Sequence, residues 1–340
     1  MSAPAEHQGG VVAVGYGGSE AARLAVRWAA GYAAATGLDV RVVHAWVWPV
    51  FTKNLGPVKG VAGSGLRHSA EAILAEGVEL ARSALLEATG VGAAGVEPAT
   101  EPGTRPGVEP PTEPREAAPG DAAEAGLEAA GIERFTSLTE PEHPGPAVDG
   151  VIEAGLAAPV LRDAARDARL LVVGSRGLGA VLGPVAGSVC LDLAGSAHCP
   201  VMVIRRPSIP GGPVVVGVDA SPRSHATLAE AVRLAGILGA PLHLVHVDTL
   251  RGGAREEHGR HARLLGEELL DHAIDEARGL APGLEVSGVL FGSHAAAREL
   301  LAAAADADVL VLGTHNPSTG PGNTVSAVLH KARCNVLVSR

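Results

Sequence analysis

Short apolar runs alternate along the chain with longer amphipathic segments. Residues 11–14 and 40–46 are mostly apolar, and between them Leu24, Trp28 and Tyr32 recur at four-residue steps. A short apolar run next to glycine is typical of a buried parallel strand, whereas a four-residue period indicates a helix with one apolar face. The pattern therefore predicts a β-α-β unit at the start of the chain.

The same unit returns 202 residues later, at 214–247, and the two copies align without a gap, with Gly37 matching Gly239. Later segments align at shorter offsets, which are 139 residues for a second glycine-ended apolar run and 135 residues for Cys199 and Cys334. The chain is therefore predicted to be a tandem repeat, with one domain at 9–206, a linker at 207–212 and a second domain at 213–340.

Each copy contains five apolar runs separated by four helical segments. Right-handed crossovers turn that order into an open parallel sheet with helices on both faces. We therefore expect an α/β fold of two tandem, doubly wound, five-stranded parallel sheets. Ligands in such sheets bind outside the carboxyl ends of the strands, where the strand order reverses.

The first copy carries an insertion. The change of offset from 202 to 139 places 63 additional residues in it, and most of them fall in residues 90–146, which are rich in proline, glutamate and alanine. Proline removes backbone donors and this composition offers little apolar surface, so the segment is predicted to be disordered. Within it, residues 121–135 can form a short helix.

The composition fits this architecture. Hydrophobic residues make up 46% of the 340 residues but aromatic residues only 2%, so Ala, Val and Leu must form the core. The net charge of -10, without a basic block, is unlike that of a nucleic-acid-binding protein. The sequence has neither a signal-like start nor an apolar run of about 18 residues, so we expect a cytoplasmic protein without a membrane partner. Its three cysteines fit buried positions and not a disulfide framework.

The most informative stretch follows the apolar run 170–173. This run ends in Gly174, and the spacing continues as G-x2-G-x9-G-S through Gly177, Gly187 and Ser188. Glycine lets a backbone approach a bulky group, and the free amides at a helix start attract anions. The alternative is that a strand-to-helix turn needs these glycines for its own geometry.

This pattern, on a strand, a loop and a helix, resembles the phosphate loop of nucleotide-binding universal stress proteins. The resemblance implies the adenine nucleotide alpha hydrolase-like fold, with ATP or a related adenine nucleotide, with or without Mg²⁺, as the ligand. It implies that the first and fourth strands adjoin, that Gly174 lies near the ribose and that Gly187 and Ser188 hold the phosphates. The positions implied for nucleotide contact are Gly17, Gly18, Ser19, Ala45, Gly174, Arg176, Gly177, Gly187, Ser188 and Val189.

The two copies depart from the family pattern in opposite ways. ATP-binding members carry an aspartate at the end of the first strand; the second copy has Asp219 there, whereas the first copy has Gly17. The loop of the second copy is four residues shorter and ends in Gly322 and Asn323 in place of Gly-Ser. A phosphate cradle depends on converging backbone amides, which the shorter loop should displace. We therefore expect nucleotide in the first copy and a degenerate site in the second.

The sequence does not favour an efficient hydrolase. Neither loop contains the Gly-Lys-Ser/Thr of a Walker A sequence, and Arg176 is the only cation in the first loop. Rapid phosphoryl transfer needs a metal and several positioned cations. The resemblance therefore implies a non-catalytic stress-response regulator. The alternative is a nucleotide-free interaction protein that acts through its domain surfaces or its insertion, and a slow ATPase is a third option for which no catalytic residue can be named.

One histidine pattern suggests a metal site. His258 and His261 lie one helical turn apart, and His272 follows them. No cysteine or carboxylate pattern completes a ligand set, so solvent-exposed helix histidines are favoured.

The closing strands of the two copies, at 201–204 and 336–339, are expected to be sheet edges. Exposed edges are liabilities unless they are paired or covered. In the family that the chain resembles, such edges pair between domains. We therefore expect the halves to form an intramolecular pseudo-dimer, with a homodimer as a further assembly.

Overall fold

The computed structural model describes residues 10–46, 63–90, 133–135, 145–175, 187–248, 256–292, 295–314 and 320–340. The first half contains, in order, β1 (Val11–Gly15), α1 (Glu20–Thr36), β2 (Asp39–Trp46), α2 (Gly63–Thr89), β3 (Glu133–Phe135), β4 (Val148–Ala154), α3 (Ala157–Ala164), β5 (Ala168–Gly174), α4 (Ser188–Ser196) and β6 (Val201–Ile204). The second half contains β7 (Val214–Val218), α5 (Ser224–Leu238), β8 (Leu242–Asp248), α6 (Glu256–Leu280), β9 (Val286–Gly292), α7 (Ala296–Ala303), β10 (Val309–Gly313), α8 (Asn323–Lys331) and β11 (Asn335–Ser339). Both halves follow the predicted alternation, and the first carries one additional short strand, β3.

Helix α1 shows how local chemistry sets the ends of an element. Ser19 precedes it in an extended conformation, and its Oγ accepts a hydrogen bond from the Ala22 amide at 3.2 Å. Gly37 ends the helix in the left-handed conformation, with a φ of 69°. Gly239 ends α5 in the same way, with a φ of 59°. The two glycines that match in the sequence therefore share one backbone conformation.

The strands of both halves form one sheet of 11 strands, in the order β3-β4-β2-β1-β5-β6-β11-β10-β7-β8-β9. Within each half the five repeated strands are parallel. Helices α1, α2, α5 and α6 pack on one face, and α3, α4, α7 and α8 pack on the other. The predicted fold class is confirmed, and the two predicted sheets are the two halves of a continuous one.

The two halves meet at their closing strands. Strands β6 and β11 pair in the antiparallel direction, with Val203 opposite Val336. This pairing covers the two closing strands that were predicted to be sheet edges. Beside it, the guanidinium of Arg233 on α5 lies over the ring of Tyr32 on α1, 5.6 Å from its centre, and donates a hydrogen bond to the Tyr32 hydroxyl.

The expectation of a short helix over residues 121–135 is wrong at its carboxyl end. Residues Glu133–Phe135 form strand β3, which pairs antiparallel with β4 and places Phe135 opposite Gly150. Strand β4 offers unpaired backbone groups on this side, and pairing with them satisfies the backbone of β3. The rest of the expected helix, and most of the insertion predicted to be disordered, falls outside the described residues.

Valine, alanine and leucine make up most of the core in the described part of the chain, as the low aromatic content predicts. Of the twelve largest fully buried side chains in the described part of the chain, ten are leucines and the others are Met202 and Ile204. The helices expose their opposite faces. Within the described ranges, none is long and apolar enough to cross a bilayer.

Candidate functional site

The candidate site lies where β1 and β5 run side by side. Val14 of β1 lies opposite Val172 of β5, so the loops after these two strands leave the sheet at the same edge. The implied adjacency of the first and fourth repeated strands is therefore confirmed. Strand β2 lies on the other side of β1, and its Val43 carbonyl accepts a hydrogen bond from the Tyr16 amide at 2.8 Å. Three strand ends thus come together at one position.

Gly174 ends β5 and lies directly beneath the start of α1. A Cβ at this position would lie 2.5 Å from the carbonyl carbon and oxygen of Ala21 and 2.8 Å from the amide nitrogen of Ala22. In the second half, a Cβ on Gly313 would lie 2.5 Å from Oγ1 of Thr227. Gly174 is therefore required for α1 to approach β5, whether or not a ligand is bound, whereas a side chain at Gly313 would first displace the Thr227 hydroxyl.

The two described ends of the segment between β5 and α4 are joined by a hydrogen bond. The amide of Gly187 donates a hydrogen bond to the Ser175 carbonyl at 3.1 Å, and Gly187 occupies the N-cap position of α4. Ser188 and Val189 follow in the first turn, where amides have no partner within a helix. Of the predicted phosphate amides, the one of Gly187 is thus already bonded. Arg176 and Gly177 lie outside the described residues.

The loop after β1 contains two glycines in different conformations. Gly18 is left-handed, with a φ of 73°, whereas Gly17 is not among the positive-φ glycines, and a Cβ there would meet no atom of the described residues within 4 Å. Ser19 uses its hydroxyl to cap α1. Ala45 lies two residues beyond Val43 on β2. Among the described residues, the site therefore has free space at Gly17, while the Ser19 side chain has a structural role.

Two buried histidines mark equivalent strand ends. Nδ1 of His44 lies 2.8 Å from the Tyr16 carbonyl oxygen, and Nδ1 of His246 lies 2.8 Å from that of Val218. A carbonyl only accepts, so Nδ1 carries the proton in both rings. Each imidazole ties the end of one strand to its neighbour, so both histidines have a structural role.

Tyr16 is a residue of this loop that sequence reasoning missed. Its side chain is buried, and a Cβ on Gly77 of α2 would lie 2.6 Å from its ring. Burial, followed by nearby Glu76, raises the pKa of Tyr16 to about 12. Glu76 pairs with Arg23 at 2.6 Å and so links α2 to α1. A glycine inside a helix was the only sequence signal for this contact.

The corresponding elements of the second half are arranged differently. The carboxylate of Asp219 accepts a hydrogen bond from the Ser221 amide at 2.9 Å, within its own loop. Gly322 precedes α8 with a φ of 77°, whereas Gly187 precedes α4 with a φ of -65°. The two helices therefore begin on different backbone conformations.

Both halves match one family. Residues 99–205 and 212–340 match the model of the Universal stress protein family, and together they make up more than half of the chain. The chain belongs to the universal stress protein family. The match in the first half begins after β1, α1 and β2, so it leaves out the loop that contains Gly17.

Two universal stress proteins of Mycobacterium tuberculosis are similar to this chain. One is 30% identical over 208 residues, which are 57% of this chain and 65% of the relative. The other is 33% identical over 197 residues, 54% of this chain and 65% of the relative. The matched regions therefore span slightly less than two thirds of these relatives.

A solved universal stress protein shares the fold of the whole chain. The crystal structure from Archaeoglobus fulgidus DSM 4304 has a TM-score of 0.58, covers 97% of this chain and 96% of that chain, and is 14% identical in sequence. At this identity the similarity shows the fold alone.

A groove of about 480 Å³ lies away from the two loops of this universal stress protein. It is bounded by β2, β4 and the end of α3. Its cation Arg41 is paired with Asp167 at 2.8 Å and lies 3.6 Å from Asp149. None of the predicted nucleotide contacts that the structure describes lines this groove.

The metal alternative concerns α6. No group of three or more His, Cys, Asp or Glu side chains in the described part of the chain is arranged to hold a metal ion. The side chains of His258 and His261 lie outside that part. The preference for solvent-exposed helix histidines therefore stays a prediction.

The cysteines are expected to resist thiol reagents in the folded protein. Burial raises the pKa of Cys190 and of Cys199 to about 11 and also raises that of Cys334. At pH 8 a thiol with such a pKa is ionised to roughly one part in a thousand. A chromogenic disulfide reagent should therefore titrate three thiols rapidly in denaturant and none rapidly in buffer. Fast native reaction of one thiol, identified by peptide mapping, would contradict the burial.

Proposed function

We propose that this protein is a stress-response regulator that binds ATP or a related adenine nucleotide in its first half. The observation that carries the proposal is that the carboxyl ends of β1 and β5 lie side by side, with the start of α4 bonded to the end of β5 through Gly187 and Ser175. In doubly wound sheets this is where nucleotides bind, and helix-start amides favour phosphate. The free space at Gly17 leaves room for the adenosine end.

The described geometry refines the roles of the proposed contacts. Ser188 and Val189 offer first-turn amides to the phosphates, while the Gly187 amide is engaged by Ser175. For Arg176 and Gly177, which lie outside the described residues, the sequence alone supports the proposed roles of a loop cation and of a glycine that lets the loop approach the ligand. Mg²⁺ accompanies the phosphates only if the loop leaves them room for it.

The adenosine end is proposed to contact mainly backbone. Gly17 and Gly18 supply loop backbone beside β5, and Ala45 supplies strand backbone from β2. The hydroxyl of Ser19 caps α1, so its contribution to binding is through the backbone. The first site therefore lacks the carboxylate that the family pattern places at position 17.

The second half is proposed to be degenerate as a nucleotide site. Its loop is shorter, its helix begins after Gly322 with a positive φ of 77°, and Asp219 accepts a hydrogen bond within its own turn. We propose that it serves as the partner of the first half in a pseudo-dimer held by β6 and β11. A regulator of this kind needs only to bind the nucleotide. In the sequence of either loop, no group for rapid phosphoryl transfer can be named.

The second candidate is a nucleotide-free interaction protein. One observation supports this candidate: the close approach of α1 explains Gly174 even without a ligand. Mass spectrometry of small molecules released from the purified, denatured protein separates the two candidates. An adenine nucleotide in stoichiometric amount supports the first candidate, and its absence together with no binding of added ATP supports the second.

The proposed phosphate site predicts that Ser188→Pro weakens ATP binding by about tenfold, the loss of one charge-assisted hydrogen bond. Proline is tolerated at the first position of a helix, so the substitution removes the amide and the hydroxyl at little cost to folding. Asn323→Pro makes the same change at the first position of α8. Isothermal titration of both full-length variants gives the comparison.

The two variants should behave differently. Asn323→Pro should bind ATP as the wild type does, because its helix lies in the second half. Equal affinity of Ser188→Pro and wild type, or a loss confined to Asn323→Pro, would refute the assignment of the phosphates to α4.

A further inference from the structure

The last residue of the chain contacts the helix that carries the proposed phosphate site. The guanidinium of Arg340, after β11 in the second half, donates hydrogen bonds to the carbonyls of Leu193 at 2.9 Å, Ala194 at 2.8 Å and Gly195 at 3.3 Å. These carbonyls lie in the last turn of α4, which belongs to the first half. The Leu193 carbonyl also accepts the Ala197 amide, and a cation at this position complements the negative end of the helix dipole.

A second segment of the other half packs on the same turn. A Cβ on Gly195 would lie 2.9 Å from Cα of Gly320 and 3.0 Å from Cδ of Pro321. Glycine inside a helix is normally unfavourable, so this close approach is the physical reason for Gly195. Gly320 and Pro321 come just before α8, in the loop that is shorter than its counterpart in the first half.

Building on the proposed nucleotide site, we propose that Arg340, Gly320 and Pro321 of the second half are positioning residues for the first-half site. They hold the carboxyl end of α4, whose amino end presents Ser188 and Val189 to the phosphates. A helix of nine residues is a rod of about 13 Å, so a displacement of one end also moves the other. The shortened loop of the second half thus supports the ligand site of the first half.

The same contact occurs in the opposite direction. Arg205, 135 residues before Arg340, follows β6 of the first half and donates a hydrogen bond to the Leu329 carbonyl in the last turn of α8. Each half therefore closes the loop-bearing helix of the other half with an arginine. Through these contacts, a ligand that binds next to α4 in the first half also affects the stability of the second half.

The test compares two arginines in the full-length protein. Arg340→Ala removes the contact with α4, whereas Arg206→Ala removes a guanidinium that donates to the Ala307 carbonyl, away from α4. Hydrogen exchange of the α4 amides, measured without ligand, should accelerate in Arg340→Ala and stay unchanged in Arg206→Ala. The affinity for ATP should fall about fivefold in Arg340→Ala only, and Arg340→Lys should restore part of it.

Two glycine variants should change the melting temperature in opposite directions, and this provides a second test. Gly236→Ala on α5 adds a Cβ that meets no described atom within 4 Å, so it should raise the melting temperature through helix propensity. Gly195→Ala should instead lower the melting temperature and weaken ATP binding, because Gly320 and Pro321 must move away. A Gly195→Ala protein that is more stable and binds ATP normally would overturn the proposal.

The outcomes separate this inference from the proposed function. Unchanged α4 exchange in Arg340→Ala overturns the positioning role, whatever the wild type binds. Equal losses of affinity in Arg340→Ala and Arg206→Ala also overturn it, because the effect is then one of general stability. Faster α4 exchange in Arg340→Ala with no ATP binding by the wild type supports the contact and refutes the nucleotide assignment.

Discussion

Replacement of Gly174 by alanine is expected to lower the free energy of unfolding by about 3 kcal/mol and to abolish nucleotide binding. The added Cβ would lie 2.5 Å from backbone atoms of Ala21 and 2.8 Å from the amide nitrogen of Ala22. Backbone atoms cannot be moved aside by a change of rotamer, so β5 or α1 must shift. Because the start of α1 and the loop after β5 border the site, this shift separates the groups that are proposed to hold the nucleotide.

Two alanine variants serve as controls for this prediction. A Cβ on Gly17 would meet no described atom within 4 Å, and a Cβ on Gly187 would come no closer than 3.8 Å to the Ser175 carbonyl oxygen. Both should change the urea-unfolding free energy by less than about 1 kcal/mol. If Gly174→Ala unfolds at the same urea concentration as these controls, the close approach of α1 and β5 does not exist in solution.

Gly17→Asp is expected to strengthen ATP binding by about tenfold to more than a hundredfold. An aspartate there restores the carboxylate that Asp219 provides in the second half, and a charge-assisted hydrogen bond to the adenosine contributes about 1.5 to 3 kcal/mol. The structure removes the main steric objection. A side chain at Gly17 would have free space among the described residues, and Gly17 does not have a positive φ, whereas Gly18 does.

The affinity gain is measured by titrating ATP into wild type and Gly17→Asp under the same salt and metal concentrations. Gly17→Asn has nearly the same shape without the charge and should gain less. Asp219→Asn makes the matching change in the second half and should leave the affinity unaltered. A folded Gly17→Asp protein that binds no better than wild type would mean that position 17 does not face the adenosine, and would favour the nucleotide-free alternative.

The regular part of the fold could be predicted because its signals are local. The apolar runs that became β1 and β2, and the glycines Gly37 and Gly239 that end α1 and α5, are all visible within short windows. The internal repeat then predicted that the chain has two domains. Strand β3 escaped prediction because its three residues carry no period, and their conformation depends on the open edge of β4.

The site was predictable in outline but not in its contacts. Spacing identified Gly174 and Gly187 as parts of one loop, but the closeness of Ala21 to Gly174 joins positions that are far apart in the chain. The same is true of Tyr16 and Gly77. Such pairs follow from how helices lie on the sheet, and a single sequence does not encode them in any local pattern.

The antiparallel pairing of β6 with β11 has a genetic consequence. In a symmetric pair of identical chains, one codon change alters both copies of every contact. In this fused chain, Gly17 and Asp219 are separate codons, as are Arg205 and Arg340. Selection can therefore change one loop and keep the other, so that the two halves can acquire different roles, as proposed for them, while a single junction holds them together.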